Sequence, residues 1–299
     1  MNTQLNKRIK ELSSVLDIDK YLREINSGNI IQKYYKTNRI AYKLFHNRKG
    51  FYHMGISEDG RYRSSDLFKS LDQISFYLED KKGFKVLELG SGQGPNTIYL
   101  AKKYKNVKFT ALDYSTKPQK TFYKLDNTEF HLGDYHNLTK FKDTSFDLVF
   151  AIESLCYAKN IAKVLSEVKR VLKPNGYFLV FDGYNKKKLK ELEKTELQAA
   201  KLTATSMAVD EFHYLPSFQS AVRKAGLKIV EEIDLSKKVI PTMRRFERLS
   251  RAFIKLGVVG KAIAKILPDM FVRNAVAGYL MPELTEQGIT TYYKHVLQK

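Results

Sequence analysis

A chain of 299 residues that is 43% hydrophobic has the size and composition of a protein that buries a full core. Its longest apolar runs are too short to cross a bilayer, and its N-terminal segment lacks the apolar stretch of a secretory signal. The one cysteine, Cys156, excludes an internal disulfide framework and a cysteine-based zinc site. These features predict a cytoplasmic protein without a metal centre.

The formal net charge of +20 calls for an explanation. Nucleic acid and the anionic face of a membrane are the partners that a basic protein attracts. A lysine-rich, generally solvated surface would explain the charge equally well, because lysine is spread along most of the chain.

The order of predicted elements indicates an α/β fold with additions at both ends. Residues 1–80 form an N-terminal helical cap with aromatic-rich loops, and residues 81–235 alternate short apolar strands with amphipathic helices, as parallel sheets do. Seven strands are predicted, at residues 84–89, 107–112, 129–132, 146–152, 177–182, 227–233 and 290–297. Helices are predicted on both faces of the sheet, at residues 95–104, 115–124, 160–172, 186–204 and 216–225.

A basic segment interrupts the chain before the last strand. Residues 236–287 are predicted to be a helical insertion, and residues 288–299 return to the core as the final strand. Ten basic residues and only two acidic ones lie between Ser236 and Asn274. Apolar residues recur there at three- and four-residue steps between the arginines, which is typical of an amphipathic helix with a basic face. The segment is either a lid that packs on the core or, through residues 242–266, a peripheral contact with an anionic membrane, and the two roles can coexist.

A glycine-rich turn after the first strand indicates a nucleotide-like cofactor. Gly90-Ser91-Gly92-Gln93-Gly94 leaves a strand and enters a helix, and Glu88 precedes the first glycine by two positions. Glycine is needed where the backbone turns sharply and where a ligand approaches the backbone closely.

Acidic residues follow at the ends of the next strands. Asp113 closes the second strand, where a carboxylate accepts hydrogen bonds from a ribose diol. Asp134 and Tyr135 follow the third strand, where they can take the amino group and border the ring of an adenine. Ala151 and Glu153 lie at the carboxyl end of the fourth strand, the edge at which open α/β sheets bind ligands.

These motifs resemble those of class I S-adenosylmethionine-dependent methyltransferases. The resemblance covers residues 83–183 and is carried by ELGSGQG, ALDYS, GDYHNL, FDLVFAIES and VLKPNGYFLVFDG. It implies a Rossmann-like seven-stranded sheet and S-adenosyl-L-methionine as the cofactor. By resemblance, the methionine portion of the cofactor is bound by Glu88, Gly90, Gly92 and Gly94. The ribose is bound by Asp113 and Tyr114, and the adenine by Asp134 and Tyr135. Ser91 and Ala151 complete the predicted cofactor site.

The acceptor region is most similar to the sterol C-methyltransferase and cyclopropane-fatty-acid synthase branch. The segment AIESLCYA resembles a sterol-methyltransferase segment that reads roughly AIEATCHA, and Tyr34-Tyr35 and Tyr52-His53 resemble the aromatic elements upstream. Tyr157 stands where the sterol enzymes usually have histidine.

Catalytic and acceptor-binding residues are predicted from the same elements. Glu153, His53 and Tyr35 are the catalytic candidates, and Tyr34, Tyr52, Tyr157 and Tyr293 are the candidates for acceptor binding. Ordinary packing remains the alternative for His53, for the tyrosines of the N-terminal helix and for the last strand, where Tyr293 and His295 share one face and Tyr292 takes the other.

The predicted function is methyl transfer to a small apolar acceptor, a lipid, a sterol-like molecule or a terpenoid, on carbon. An O- or N-methyltransferase of small molecules is the first alternative, and a catalytically silent cofactor-binding scaffold stays open. An RNA methyltransferase is disfavoured because residues 153–156 read ESLC where an Asn/Asp-Pro-Pro-aromatic motif would stand. No nucleic-acid partner is therefore predicted. A nicotinamide enzyme is disfavoured because Pro95 follows the last glycine of the turn.

Overall fold

One seven-stranded sheet forms the centre of the protein. The computed structural model describes residues 3–23 and 30–299. The strands, numbered β1 to β7 along the chain, are Lys85–Leu89, Lys108–Asp113, Thr128–Leu132, Phe146–Ile152, Leu172–Asn185, Lys228–Asp234 and Thr290–Gln298. Their spatial order is β3-β2-β1-β4-β5-β7-β6, with β7 antiparallel to both of its neighbours and the other pairs parallel. The predicted seven-stranded α/β sheet is confirmed.

Helices cover both faces of this sheet. The α-helices, numbered α1 to α11, are Thr3–Val15, Ile18–Arg23, Ile30–Phe45, Lys69–Ser75, Pro95–Lys103, Ile161–Val171, Lys194–Ser206, Leu215–Lys224, Ser236–Ile254, Val258–Ile266 and Asp269–Glu286. The alternation of side chains along each strand separates two cores. Leu87 and Leu89 pack with α6 and α8 on one face, while Val86 packs with α4, α5 and α9 on the other. Within residues 3–23 and 30–299, no helix is both long enough and apolar enough to cross a membrane.

Two helix predictions are wrong in their extent. Residues 115–124 do not form a helix but an open loop that ends in a single 3-10 turn at Phe122–Lys124. The Asp113 carboxylate accepts the backbone N–H groups of Ser115 and Thr116, and Pro118 offers no N–H, so helical bonds do not start there. The helix predicted at residues 186–204 starts only at Lys194, after a 3-10 turn.

The basic segment folds as three helices that pack on the core and on α1. The predicted apolar stripe consists of Met243, Phe246, Leu249, Phe253 and Leu256. Of these, Met243 is buried, whereas Leu249 and Leu256 are exposed. Arg8 of α1 is buried and forms an ion pair with Glu247 of α9 at 2.8 Å. A buried cation without an anionic partner is costly, so this pair joins the N-terminal helix firmly to the insertion.

Candidate cofactor and acceptor site

The turn after β1 exposes backbone to a cavity of about 1170 Å³ at the carboxyl edge of the sheet. Gly90, Gly92 and Gly94 all have positive φ, between +55° and +75°. A Cβ at Gly90 would lie 2.4 Å from the Cβ of Ser154, whereas a Cβ at Gly92 would meet nothing within 4 Å. Gly90 is therefore required for packing, and Gly92 keeps the floor of the cavity open for a ligand.

Glu88 and Gly94 lie behind this floor and do not line the cavity. The buried Glu88 carboxylate accepts bonds from Asn96 Nδ2 at 2.9 Å and from the Thr97 hydroxyl. Burial raises the pKa of Glu88 to about 7. Gly94 faces the ring of Phe122, which a Cβ would approach to 2.8 Å. Both residues hold the turn against the helix that follows, so their predicted contact with the cofactor is indirect in this structure.

The two aspartates at the strand ends face the same cavity as the turn. Asp113 Oδ2 accepts the backbone N–H of Gly92 at 2.8 Å, which ties the end of β2 to the glycine turn. Asp134 Oδ1 accepts the ring Nδ1 and the backbone N–H of His136. Tyr114 lies beside Asp113, and Tyr135 donates its hydroxyl to the carbonyl of Ser154 at 3.0 Å. The turn and both carboxylates thus surround one space, as the sequence predicts.

Ala151, by contrast, is fully buried in the core beneath the cavity, and Ile152 takes its place on the wall. The side chains of consecutive strand residues point to opposite faces, and here Ile152 faces the cavity while Ala151 faces the core. Ala151 contributes as a packed strand residue beside Leu89 of β1.

Glu153 occupies the junction between the glycine turn and the rest of the cavity. Its φ is +48°, in the left-handed region, and its N–H bonds the carbonyl of Phe181 at 2.8 Å. Its carboxylate is partly buried, and Oε1 accepts both the Met54 N–H at 2.6 Å and the Tyr292 hydroxyl at 2.9 Å. Desolvation raises the pKa of Glu153 to about 8, although these two bonds act in the opposite direction. Left-handed backbone and a desolvated acid coincide at this residue.

Aromatic side chains form the far wall of the cavity. Tyr35, Tyr52 and Tyr157, three of the predicted residues, all line it. Tyr35 donates to the Tyr157 hydroxyl at 3.0 Å, and Tyr157 donates to the carbonyl of Met207 at 3.1 Å. The rings of Tyr35 and Tyr52 are stacked with centroids 6.1 Å apart. The hydrogen bonds fix the rings of Tyr35 and Tyr157, whereas the ring of Tyr52 is held by packing against Tyr42 and Tyr35.

Tyr34 and Tyr293 do not line the cavity. Tyr34 points to the other side of α3, where its hydroxyl donates to Asn274 Oδ1 at 2.7 Å. Tyr293 lies on the opposite face of the sheet and stacks on His295. The register that pairs Gly183 with Tyr292 brings Tyr292, not Tyr293, to the cavity.

His53 lies on the cavity wall with a hydrogen-bond acceptor next to each ring nitrogen, so a neutral ring donates to one of the two. Nδ1 is 3.0 Å from the carbonyl of Met54, and Nε2 is 3.2 Å from Asn96 Oδ1. Burial lowers the pKa of His53. The ring therefore connects the loop before α4 to the helix that follows the glycine turn. Both nitrogens face protein atoms, so neither points toward a bound substrate.

Several wall residues were not among the predicted site residues. They lie on α3, α9, α11, β7 and the loop before α8, and their position at the cavity depends on tertiary packing. These residues include Tyr42, Met243, Met281, Phe212 and Tyr292. Among the described residues, no three His, Cys, Asp or Glu side chains are grouped as a metal site would need.

Comparison with known proteins agrees with this geometry. A family model described as "Methyltransferase domain" matches residues 87–180. The fatty-acid O-methyltransferase of Mycolicibacterium smegmatis is 30% identical over 180 residues, 57% of this chain and 64% of that protein. The sterol 24-C-methyltransferase of Kluyveromyces lactis is 26% identical over 185 residues, 58% of this chain and 50% of that protein. The chain thus matches between half and two thirds of the length of these relatives.

A solved structure extends the similarity to nearly the whole chain. The cyclopropane synthase MmaA2 of Mycobacterium tuberculosis is 16% identical, with a TM-score of 0.73 over 90% of this chain and 97% of that one. At that identity the likeness concerns the fold.

The site fits S-adenosylmethionine, the cofactor of proteins with this fold and these motifs. The buried Ser91 hydroxyl on the cavity wall has no hydrogen-bond partner among the described residues, and the space above Gly92 is open. Both features suit a ligand that brings its own polar groups to the turn. Residues 87–180 form a methyltransferase domain, and the fold, the strand-end aspartates and the glycine turn are those of class I S-adenosylmethionine-dependent methyltransferases.

Proposed function

We propose that this protein transfers a methyl group from S-adenosylmethionine to a carbon atom of a small apolar acceptor, a lipid, a sterol-like molecule or a terpenoid. The observation that carries the proposal is the partly buried Glu153 carboxylate, which lines the cavity between the glycine turn and the aromatic wall. The names of two relatives, a fatty-acid O-methyltransferase and a sterol 24-C-methyltransferase, support an acceptor of this kind.

The wall beyond Glu153 suits an apolar acceptor. It presents the aromatic faces of Tyr35, Tyr52 and Tyr157, together with methionine side chains from α9 and α11. Ligand sites of this kind bind mainly by apolar contact, and a few polar groups set the orientation. Here the fixed tyrosine rings would hold an acceptor against the edge of the cofactor site, and such positioning supplies much of the rate in a transfer that needs little covalent help.

S-adenosylmethionine supplies the methyl group as an electrophile on a positively charged sulfur. An alkene acceptor that gains this methyl through its π electrons carries one positive charge and becomes neutral again by losing a proton. The faces of Tyr35 and Tyr52 stabilise a cation by their ring quadrupoles. Met54 and Tyr292 both bond to Oε1 of Glu153, so we assign Oε2 as the atom that takes the proton.

Radiolabelled methyl donor tests the proposal directly. Purified protein is incubated with labelled S-adenosylmethionine and lipid extract, and the products are separated before and after alkaline hydrolysis. Label lost as methanol indicates a methyl ester and thus O-methylation, whereas label that survives hydrolysis excludes an ester. Fragmentation of the surviving product in a mass spectrometer then separates a C-methyl group, which supports the proposal, from a methyl ether or methylamine. Label that enters RNA and not lipid would contradict the proposal.

The Glu153→Gln variant provides the matched control. Glutamine keeps the size of the side chain and an oxygen that can accept from Met54 and Tyr292, but it cannot take a proton at neutral pH. We expect unchanged binding of S-adenosylmethionine in calorimetry and a loss of turnover of about a hundredfold or more, the scale of general base catalysis. Full turnover in this variant would remove Glu153 from the reaction.

A further inference from the structure

An exposed surface that is both apolar and basic lies where α9 meets α10. The exposed side chains of residues 255–266, which we call the elbow face, are Lys255, Leu256, Val258, Val259, Lys261, Ala262, Lys265 and Ile266. Val258 and Ile266 are 86% and 84% exposed. Single exposed aliphatic residues are ordinary, but four large ones within one turn and one short helix form a patch that indicates an interaction site.

The rest of the basic segment is used inside the protein. Met243 and Ile254 are buried, and Glu247 pairs with Arg8, Arg244 and Arg251. The membrane contact predicted over residues 242–266 therefore cannot involve the inner face of α9.

Helix α10 rests on α1 and turns its other side outward. Gly260 is buried against α1, where a Cβ would lie 3.3 Å from Val15 Cγ1. Val258, Lys261 and Lys265 follow one another at steps of three and four residues, so they share the outward side of the helix. The elbow face is thus a part of the segment that the packing of the described residues leaves exposed.

The charged residues of this stretch of the chain have one sign. Residues 248–266 contain no aspartate or glutamate, and their basic residues are Arg248, Arg251, Lys255, Lys261 and Lys265. We propose that the elbow face docks the protein on an anionic lipid bilayer. Val258, Val259 and Ile266 enter the boundary between headgroups and acyl chains, while the lysines contact lipid phosphates.

The aliphatic residues favour a bilayer over nucleic acid as the partner. Proteins bind single strands by stacking bases on aromatic rings, and the exposed large side chains of the elbow face are leucine, valine and isoleucine. Lysines alone would suit any polyanion, but exposed aliphatic groups are stabilised only when they leave water for an apolar medium. A bilayer offers both an anionic surface and that medium.

The elbow face is connected to the wall of the cavity. Helix α10 leads into α11, whose first turn packs on α3 through Met270 and Tyr34. Ile30 and Tyr35 of α3 line the cavity. Docking at the elbow would bring this wall close to the lipid, where an apolar acceptor dissolves. The docking itself depends only on surface residues and holds whether or not the proposed reaction is correct.

Vesicle flotation tests the proposal with the whole protein. Vesicles of phosphatidylcholine with and without phosphatidylglycerol are floated through a density gradient, and bound protein is measured in the top fraction. We expect binding that requires phosphatidylglycerol and weakens as salt is raised. In Val258→Asp/Ile266→Asp the partition should fall at least about tenfold, and in Lys261→Gln/Lys265→Gln it should fall about fivefold for each lysine removed.

Matched variants elsewhere on the surface separate docking from general charge. Val230→Asp changes an exposed valine on β6, and Lys102→Gln/Lys105→Gln removes two exposed lysines near the end of α5. These controls should float nearly like the wild type. S-adenosylmethionine binding, measured by calorimetry, should be unchanged in every variant and reports that each is folded.

Three results would overturn the proposal. The wild type could remain at the bottom of the gradient at low salt, the elbow variants could float like the wild type, or the controls could lose as much binding as the elbow variants. Elbow-dependent binding of bulk RNA without binding of vesicles would likewise reject the bilayer and assign the face to nucleic acid. None of these results bears on methyl transfer, which the labelling experiment measures separately.

Discussion

Removal of the Tyr292 hydroxyl isolates its effect on Glu153. In Tyr292→Phe the ring that packs in the core stays, and only the 2.9 Å bond to Glu153 Oε1 is lost. A hydrogen bond to a charged group contributes about 1.5–3 kcal/mol and one to a neutral group about 0.5–1.5 kcal/mol. The variant therefore loses about 1–1.5 kcal/mol more of hydrogen-bond stabilisation when Glu153 is ionised than when it is protonated. This difference raises the pKa of Glu153 by about one pH unit.

This change appears in the pH dependence of turnover. A base must be ionised to act, and the pKa of Glu153 is about 8 in the ligand-free protein. Activity of the wild type should therefore rise with pH through the neutral and mildly alkaline range. At saturating cofactor the midpoint should be lower, because a positive sulfonium nearby favours the carboxylate. In Tyr292→Phe the midpoint of kcat/KM should move up by about one pH unit, with about tenfold lower activity below both midpoints and equal activity well above them.

A measurement without an acceptor checks the same point. The carbonyl band of a protonated carboxyl group in the infrared spectrum disappears as the group ionises, and subtraction of the Glu153→Gln spectrum assigns the band. Tyr293→Phe, which alters a neighbouring tyrosine on the opposite face of the sheet, is the matched control. If Tyr292→Phe and Tyr293→Phe titrate alike, the hydrogen bond does not set the pKa of Glu153 and the reasoning is refuted.

Three further predictions concern the cofactor site and the stability of the fold. Asp113→Ala should weaken S-adenosylmethionine binding at least about tenfold in calorimetry, and the exposed Asp126→Ala should leave it unchanged. Gly90→Ala should lower the free energy of unfolding by about 2 kcal/mol or more. Gly92→Ala, with open space around it, should lower it by about 1 kcal/mol but should impair S-adenosylmethionine binding. Equal effects of the two variants would contradict the assigned roles. Burial raises the pKa of Glu153 from 4.5 to about 8, so its proton stabilises the fold fully below pH 4.5 and this contribution is lost as pH rises through 8. Relative to the wild type, the free energy of unfolding of Glu153→Gln should therefore increase by on the order of 3 kcal/mol between pH 5 and 9. If the melting temperatures of the two proteins change with pH in the same way, this effect is excluded.

The sheet and the cofactor site could be predicted from the sequence because the patterns that indicate them lie within short stretches of the chain. An apolar run such as Phe146–Ile152 reads as a buried strand, and the glycine turn carries its own conformational requirement. Asp113 and Asp134 follow their strands directly, so parallel pairing alone brings them to one edge. The predicted helix at residues 115–124 failed for an equally local reason, the competition of the Asp113 carboxylate for backbone N–H groups.

The acceptor wall could not be predicted in the same way because it is assembled from distant parts. Tyr35 and Tyr34 are adjacent on α3, yet only the packing of α3 on α11 decides which of them faces the cavity. On β7 the alternation correctly separates Tyr292 from Tyr293, but the choice between the two faces follows from the antiparallel register with β5. Sequence spacing contains no information about either arrangement.

Glu153 is preferred over His53 as the base on structural grounds. His53 contacts acceptor atoms at both ring nitrogens, and these contacts would have to break before it could reach a substrate. Glu153 receives both of its donors at one oxygen, which leaves the other for a proton. Left-handed backbone at a non-glycine residue and burial of a carboxyl group each destabilise the fold. Glycine or asparagine at this position would relieve the backbone strain, so the glutamate is best explained by the chemistry of the site and not by the stability of the sheet.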